Sequence, residues 1–229
     1  MDIQIIASGS RGNCFLYDKN ILLDAGVSLG FLWRKVDIKS LSYLLLTHRH
    51  SDHFNKQTIR RLYIKNRKIK FICGEFLLEE LLKIGIPKES IRVLRAGKIY
   101  KIGELKIAPI KLYHDVPNFG YRIVKGEYKH IHITDTAHLD CIYANRYDSA
   151  TLECNHHLDR AKQLIKKARE NGEFTHLIGA LNSHLAVQQS VKWLRENQIK
   201  RVYPVHIGGS TYQEVMEYLR SFKEIKIEK

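Results

Sequence analysis

Leu41-Ser42-Tyr43-Leu44-Leu45-Leu46-Thr47-His48-Arg49-His50-Ser51-Asp52-His53 decides how this chain folds. Leu41–Leu46 is an almost unbroken apolar run, the pattern of a strand covered on both faces. It ends in His48, His50, Asp52 and His53. Histidine is only sometimes buried and an unpaired aspartate almost never is. Such groups clustered at the end of a buried strand make sense when a cation neutralises them. His48 and His50 alternate, so in an extended loop both imidazoles can point to one side. Asp52 and His53 are adjacent at the start of an expected helix and can face a second point nearby. Imidazole with carboxylate suits zinc, with manganese or iron as alternatives.

Outward from this stretch the first half reads as short strands. Ile3–Ala7, Cys14–Tyr17 and Ile21–Asp24 are brief apolar runs separated by turn residues at 8–13 and 19–20. A helix is expected within Asn55–Asn66 and another over Glu75–Ile84. Strands are expected at Lys70–Cys73, Ile91–Leu94, Lys98–Lys101, Leu105–Leu112, Tyr121–Val124 and Tyr128–Thr134. The second half alternates: a strand ending in Ala150–Glu153, a helix over His156–Glu170, a strand at His176–Ala180, a helix over Leu185–Asn197, a strand at Lys200–Val205 and a helix over Thr211–Phe222. Hairpins followed by strand–helix alternation predict two sheets packed face to face with helices outside. This is an α+β, four-layer αββα sandwich forming a single domain over 1–229.

The 229 residues are enough to bury a core without staples, and 44% apolar with 27% charged residues is globular composition. Cys14, Cys73, Cys141 and Cys154 are scattered, which fits free thiols and a cytoplasmic setting better than a disulfide framework. No stretch is long and apolar enough for a membrane helix, so no membrane partner is expected. The net charge of +14 favours anionic partners.

His48-Arg49-His50-Ser51-Asp52-His53 resembles the HxHxDH signature of the metallo-β-lactamase superfamily, and further landmarks follow in order. Ile21-Leu22-Leu23-Asp24-Ala25-Gly26 is similar to the family's early LIDxG strand, whose aspartate braces the metal loop. His114, Asp135 and His206 each follow an apolar strand. They resemble the third histidine of the first metal, the bridging aspartate and the last histidine of the second metal. The resemblance thus implies the metallo-β-lactamase fold and two divalent ions, one held by His48, His50 and His114 and one by Asp52, His53 and His206, with Asp135 bridging. His50, where oxidoreductase relatives carry glutamate, implies hydrolysis.

Glu153-Cys154-Asn155-His156-His157, Ser183-His184-Leu185-Ala186 and the opening Ser8-Gly9-Ser10-Arg11-Gly12-Asn13 are similar to segments of small bacterial and phage exonuclease-like members and of ribonuclease Z. The resemblance implies a phosphodiesterase acting on DNA or RNA, with Glu153, His184 and Asp52 in catalytic roles. His184, expected at the start of a helix, would be a proton donor oriented by Glu153, and His206 the metal ligand, because it ends a strand; the reverse assignment of the two histidines stays open. A cyclic-nucleotide phosphodiesterase and a metal-bound nucleic-acid-binding module without turnover are the alternatives. His130 and His132 are expected on a polar strand face and His156 and His157 at a helix N-terminus. For His138 a place lining the cleft is left open. Ala186 and Gly208-Gly209-Ser210 depart from the exonuclease-like pattern, which puts the substrate contacts in doubt. The oligomeric state is also open, a dimer included.

Overall fold

The computed structural model describes residues 1–228, and the chain divides into two compact units. The first comprises Met1–Lys101 with Ala108–Ile110, and the second Ile102–Ile107 with the chain from Lys111 onward.

In the first unit a six-stranded sheet runs in sequence order: β1 (Ile3–Ala7), β2 (Cys14–Tyr17), β3 (Ile21–Leu23), β4 (Tyr43–Leu45), β5 (Lys70–Gly74) and β6 (Ile91–Leu94). β1, β2 and β3 pair antiparallel, and β3 through β6 pair parallel. Three helices accompany it: α1 (Leu29–Trp33), α2 (Lys56–Lys65) and α3 (Leu78–Lys83). Leu44, Leu45 and Leu46 are fully buried, as a parallel strand with both faces covered demands. α2 starts where the Asn55 side chain caps the Thr58 amide at 3.0 Å, and it buries Ile59 and Leu62 against the sheet core.

The second sheet has seven strands in sequence order: β7 (Tyr100–Ile102), β8 (Leu105–Leu112), β9 (Asn118–Lys125), β10 (Tyr128–Ile133), β11 (Ser149–Glu153), β12 (Arg201–Val205) and β13 (Lys226–Ile227). β9 and β10 pair antiparallel, and β10 through β13 pair parallel. Its helices are α4 (Leu158–Glu170), α5 (Leu177–Ser183), α6 (Val187–Glu196) and α7 (Tyr212–Arg220). α4 buries Ala161, Ile165 and Ala168, one face at helical spacing, and α6 buries Val187, Val191, Trp193 and Leu194. Each sheet therefore has an antiparallel part and a parallel part. The parallel strands send their C-terminal ends into the loops that carry the histidines and carboxylates, the usual location of sites in such sheets.

The structure differs from expectation at three places. His176–Ala180, expected as a strand, falls at the N-cap and first turns of helix α5. β11 pairs directly with β12, Ala150 opposite Val202, so no place for a strand exists between them. A five-residue apolar run has no periodicity of its own to separate helix from strand. His184 accordingly caps the C-terminus of α5 in an extended conformation instead of starting a helix. His130 and His132 are fully buried, not on a solvent face. His130 bonds Ser149 Oγ at 2.7 Å and Thr151 Oγ1 at 3.0 Å, so neighbouring strand hydroxyls satisfy it. Its strand lies inside the sheet, and alternation alone could not show that both faces are covered. No helix among the described residues is long and apolar enough to cross a membrane.

Candidate metal centre

In the first unit the ligand loop leaves β4 at Leu46 and is held by Asp24, the residue after β3. Asp24 accepts from the Thr47 amide at 2.9 Å and the Thr47 hydroxyl at 2.8 Å, and it pairs with His53 Nδ1 at 2.6 Å. Asp24 is fully buried. Burial pushes its carboxyl up, with the contacts from His53 and Thr47 opposing that rise. With Nδ1 donating to Asp24, His53 Nε2 carries the lone pair, which accepts from Asn13 Nδ2 at 2.8 Å. A carboxylate on the far nitrogen of an imidazole is the arrangement that orients metal-ligating histidines. His48 Nε2 approaches His50 Nδ1 at 3.2 Å, and the His48 and His53 rings lie 4.3 Å apart. Asp52 Oδ2 sits 3.5 Å from His53 Nε2. The structure thus gathers His48, His50, Asp52 and His53 on one loop.

The second unit gathers the other set. Asp135 follows β10, Glu153 ends β11, His184 follows α5 and His206 follows β12. Their ligand atoms all lie within 4.8 Å of one another. Glu153 Oε1 accepts from His184 Nδ1 at 2.6 Å and from His206 Nδ1 at 3.0 Å. Asp135 Oδ1 is 3.7 Å from His184 Nδ1 and 3.4 Å from His206 Nδ1. His114, just beyond β8, donates from Nδ1 to the Ser183 carbonyl at 3.3 Å, and its ring centre lies 5.3 Å from that of His184. Burial alone would raise the Glu153 carboxyl, but the bonds from His184 and His206 outweigh it and hold it below the usual range. Burial alone would lower His184, but Glu153 outweighs it and holds the imidazole above its usual value.

The donor set fits divalent metals on chemical grounds. Within each unit imidazoles and carboxylates gather, and at three positions the backbone is strained beside them. Asp24, Asp135 and His206 adopt left-handed conformations with φ of 58°, 57° and 54°. Such conformations cost of order 1–3 kcal/mol each and persist where the surroundings impose them.

Three asparagines brace the loops, Asn13 at Asp52 and the other two at left-handed residues, Asn118 at Asp135 and Asn155 at His206; none stands out in the sequence. Asn13 Nδ2 donates to Asp52 Oδ2 at 3.1 Å, and the Asn13 amide donates to the Asp52 carbonyl at 2.6 Å. Asn118 Nδ2 donates to the carbonyls of Thr134 and Asp135 at 3.0 and 2.7 Å. Asn155 Nδ2 donates to the His206 carbonyl at 2.9 Å. Gly26 completes the first of these braces, since a Cβ there would lie 1.6 Å from the Asp52 carbonyl oxygen. The signal available was an asparagine in each loop beside a ligand, twice within a motif quoted for other reasons. His157 caps α4 by accepting from the Arg160 amide at 3.5 Å, the helix-terminal role expected for it.

Comparison with known proteins shows the family. A family model described as a Beta-lactamase superfamily domain matches residues 19–207, and the chain belongs to that superfamily. The structure of the metallo-β-lactamase fold protein YhfI from Bacillus subtilis superposes with a TM-score of 0.79 at 15% identity, covering 99% of this chain and 94% of that one. Human tRNase Z, short form, gives a TM-score of 0.68 at 13% identity over 100% and 96%. These likenesses bear out the α+β metallo-β-lactamase fold expected from the sequence. Exodeoxyribonuclease YycJ of Bacillus anthracis is 29% identical over 155 residues, 61% of this chain and 56% of that protein. The match therefore spans little more than half of that relative's length.

Proposed function

We propose that this protein is a two-metal phosphodiesterase acting on DNA or RNA as an exonuclease-like enzyme. The reading assigns one metal to His48, His50 and His114 and the other to Asp52, His53 and His206, with Asp135 bridging. Bound divalent ions, zinc first with manganese or iron as alternatives, would supply Lewis-acid charge at phosphoryl oxygens and a water of lowered pKa.

The observation that carries the phosphodiester reading is the Glu153–His184 pair beside Asp135. A nucleotide oxygen needs a proton as it departs, and this pair can supply one. His184, bonded through Nδ1 to Glu153, gives that proton, and Glu153 fixes its ring. His206 shares the same carboxylate and serves as a ligand through its other nitrogen. Asp52, held in place by Asn13, would hold its metal. The +14 charge draws a polyanion toward the site. The nuclease name carried by YycJ and the RNA-processing name carried by tRNase Z support the same substrate class. The protein acts as a single domain over 1–229 in the cytoplasm, where its free cysteines stay reduced.

A panel of single-stranded DNA, duplex DNA, RNA and cyclic nucleotides, offered to metal-loaded protein with Asp135→Ala as control, tests the reading. A polymer substrate gives binding that weakens with salt, by about 0.7–0.9 in log–log slope per neutralised phosphate. A cyclic nucleotide as sole substrate, with little salt dependence, would replace the polymer reading. Full metal loading without turnover on any member would mark a binding module.

A further inference from the structure

Nothing in the metal and proton chemistry above uses Tyr113 or His138, yet the two form a stacked pair at the edge of the second ligand set. Their ring centres lie 3.9 Å apart with planes 26° from parallel. Tyr113 immediately precedes His114, so its Cα is about 3.8 Å from that of the candidate ligand. His138 follows Asp135 by three residues. Tyr113 is nevertheless 47% exposed.

The pair is braced to the catalytic carboxylate by one residue. Thr136 Oγ1 accepts from the Tyr113 amide at 3.0 Å and donates to the His138 carbonyl at 2.9 Å. The Thr136 amide donates to Glu153 Oε2 at 3.0 Å. The Ala137 amide closes the arrangement on the Tyr113 carbonyl at 2.7 Å, and Asp140 Oδ2 lies 3.1 Å from His138 Nδ1. The backbone that carries both rings is thus tied down, and each ring rests on the other. His138 covers one face of Tyr113, and about half of that residue is exposed.

We propose that Tyr113, backed by His138, is a stacking platform for the nucleobase next to the phosphodiester being cleaved. A flat ring already resting on another loses little freedom when a further ring settles on it. Stacking on an aromatic side chain accepts every base, which suits an enzyme that steps along a strand without reading its sequence. This proposal rests on the phosphodiesterase reading for its ligand, but not on turnover for its test.

The test uses the full, metal-loaded chain and two short single strands of DNA. One carries a 2-aminopurine, and the other has an abasic site in its place. We expect wild-type protein to quench the 2-aminopurine fluorescence and to bind that strand more tightly than its abasic partner. Tyr113→Leu should abolish the quenching and weaken binding of the base-bearing strand on the order of tenfold. Its affinity for the abasic strand should change less than about twofold, and its metal content should match wild type. Tyr113→Trp should keep the quenching. Equal weakening on both strands, unchanged quenching in Tyr113→Leu, or no preference of wild type for the base-bearing strand would overturn the proposal. Should Tyr113→Leu lose metal, His138→Ala decides: a selective loss on the base-bearing strand supports the platform, and none overturns it. Absence of hydrolysis on every phosphodiester would defeat the phosphodiesterase reading while the quenching result stood by itself.

Discussion

Glu153 Oε1 takes two imidazole nitrogens at once, His184 Nδ1 at 2.6 Å and His206 Nδ1 at 3.0 Å. One carboxylate oxygen therefore orients both the histidine assigned to proton transfer and the one assigned to a metal. The shorter contact belongs to His184, which is also the less buried of the two. His184→Ala should cut kcat on the order of 10²-fold or more while metal content stays near wild type. Metal analysis beside steady-state kinetics checks this. Loss of a metal in His184→Ala would exchange the roles of the two histidines.

Removing the shared carboxylate should do more. Glu153→Gln keeps the shape but cannot hold a protonated imidazole, and it has one oxygen for two donors. Turnover should fall at least as far as in His184→Ala, with metal affinity down on the order of 10–100-fold through His206. Isothermal titration with zinc and a rate measurement at saturating metal separate the two effects.

Asn13 reaches the first ligand loop from the opening turn. It contacts the Asp52 side chain, the Asp52 carbonyl and His53. Asn13→Ala leaves buried groups unsatisfied, so stability should fall by about 1–3 kcal/mol and affinity for one metal on the order of tenfold. Urea denaturation and metal titration test this, and an Asn13→Ala protein with unaltered metal affinity would remove Asn13 from the site.

Gly26 and Gly30 make a matched pair of tests. A Cβ on Gly26 would collide with the Asp52 carbonyl, whereas a Cβ on Gly30 meets nothing within 4 Å. Gly26→Ala should destabilise by about 3 kcal/mol or more, because backbone must move. Gly30→Ala, inside α1, should be neutral or stabilising by up to about 1 kcal/mol. Thermal melts of the two variants should therefore move apart, and similar melts would contradict the packing described.

Stability should also respond to pH through His130. Burial, then repulsion from His132, holds its folded-state pKa well below the ordinary 6.5. The unfolded chain takes up this proton near pH 6.5 while the folded chain does not. His130 therefore favours folding fully above that pH and its contribution is lost as pH falls below it, by up to about 1.4 kcal/mol per pH unit. Urea midpoints of chelator-treated protein at about pH 7.5 and pH 5.5 should show a smaller drop for His130→Gln than for wild type.

The candidate ligands were legible where they stand at the end of an apolar strand, since sequence pattern and chemistry coincide there. His48, His114, Asp135 and His206 announce themselves in this way, as does Asp24, which holds the first loop. Asn13, Asn118 and Asn155 did not, since their work is to bond loops distant in sequence, a relation that only the folded chain reveals. His130 was misjudged because alternation in a strand shows which residues share a face, not whether that face meets water. The strand expected at His176–Ala180 failed for want of length, and with it the placing of His184 at a helix start.

Titrating chelator-treated protein with zinc or manganese, while following nucleotide release from single-stranded DNA, tests the two-metal phosphodiesterase most directly. The account predicts activity that is absent without metal, rises with loading and saturates at about two ions per chain, with Asp135→Ala inactive throughout. Full loading at two ions per chain with no release from DNA, RNA or any other phosphodiester would contradict it.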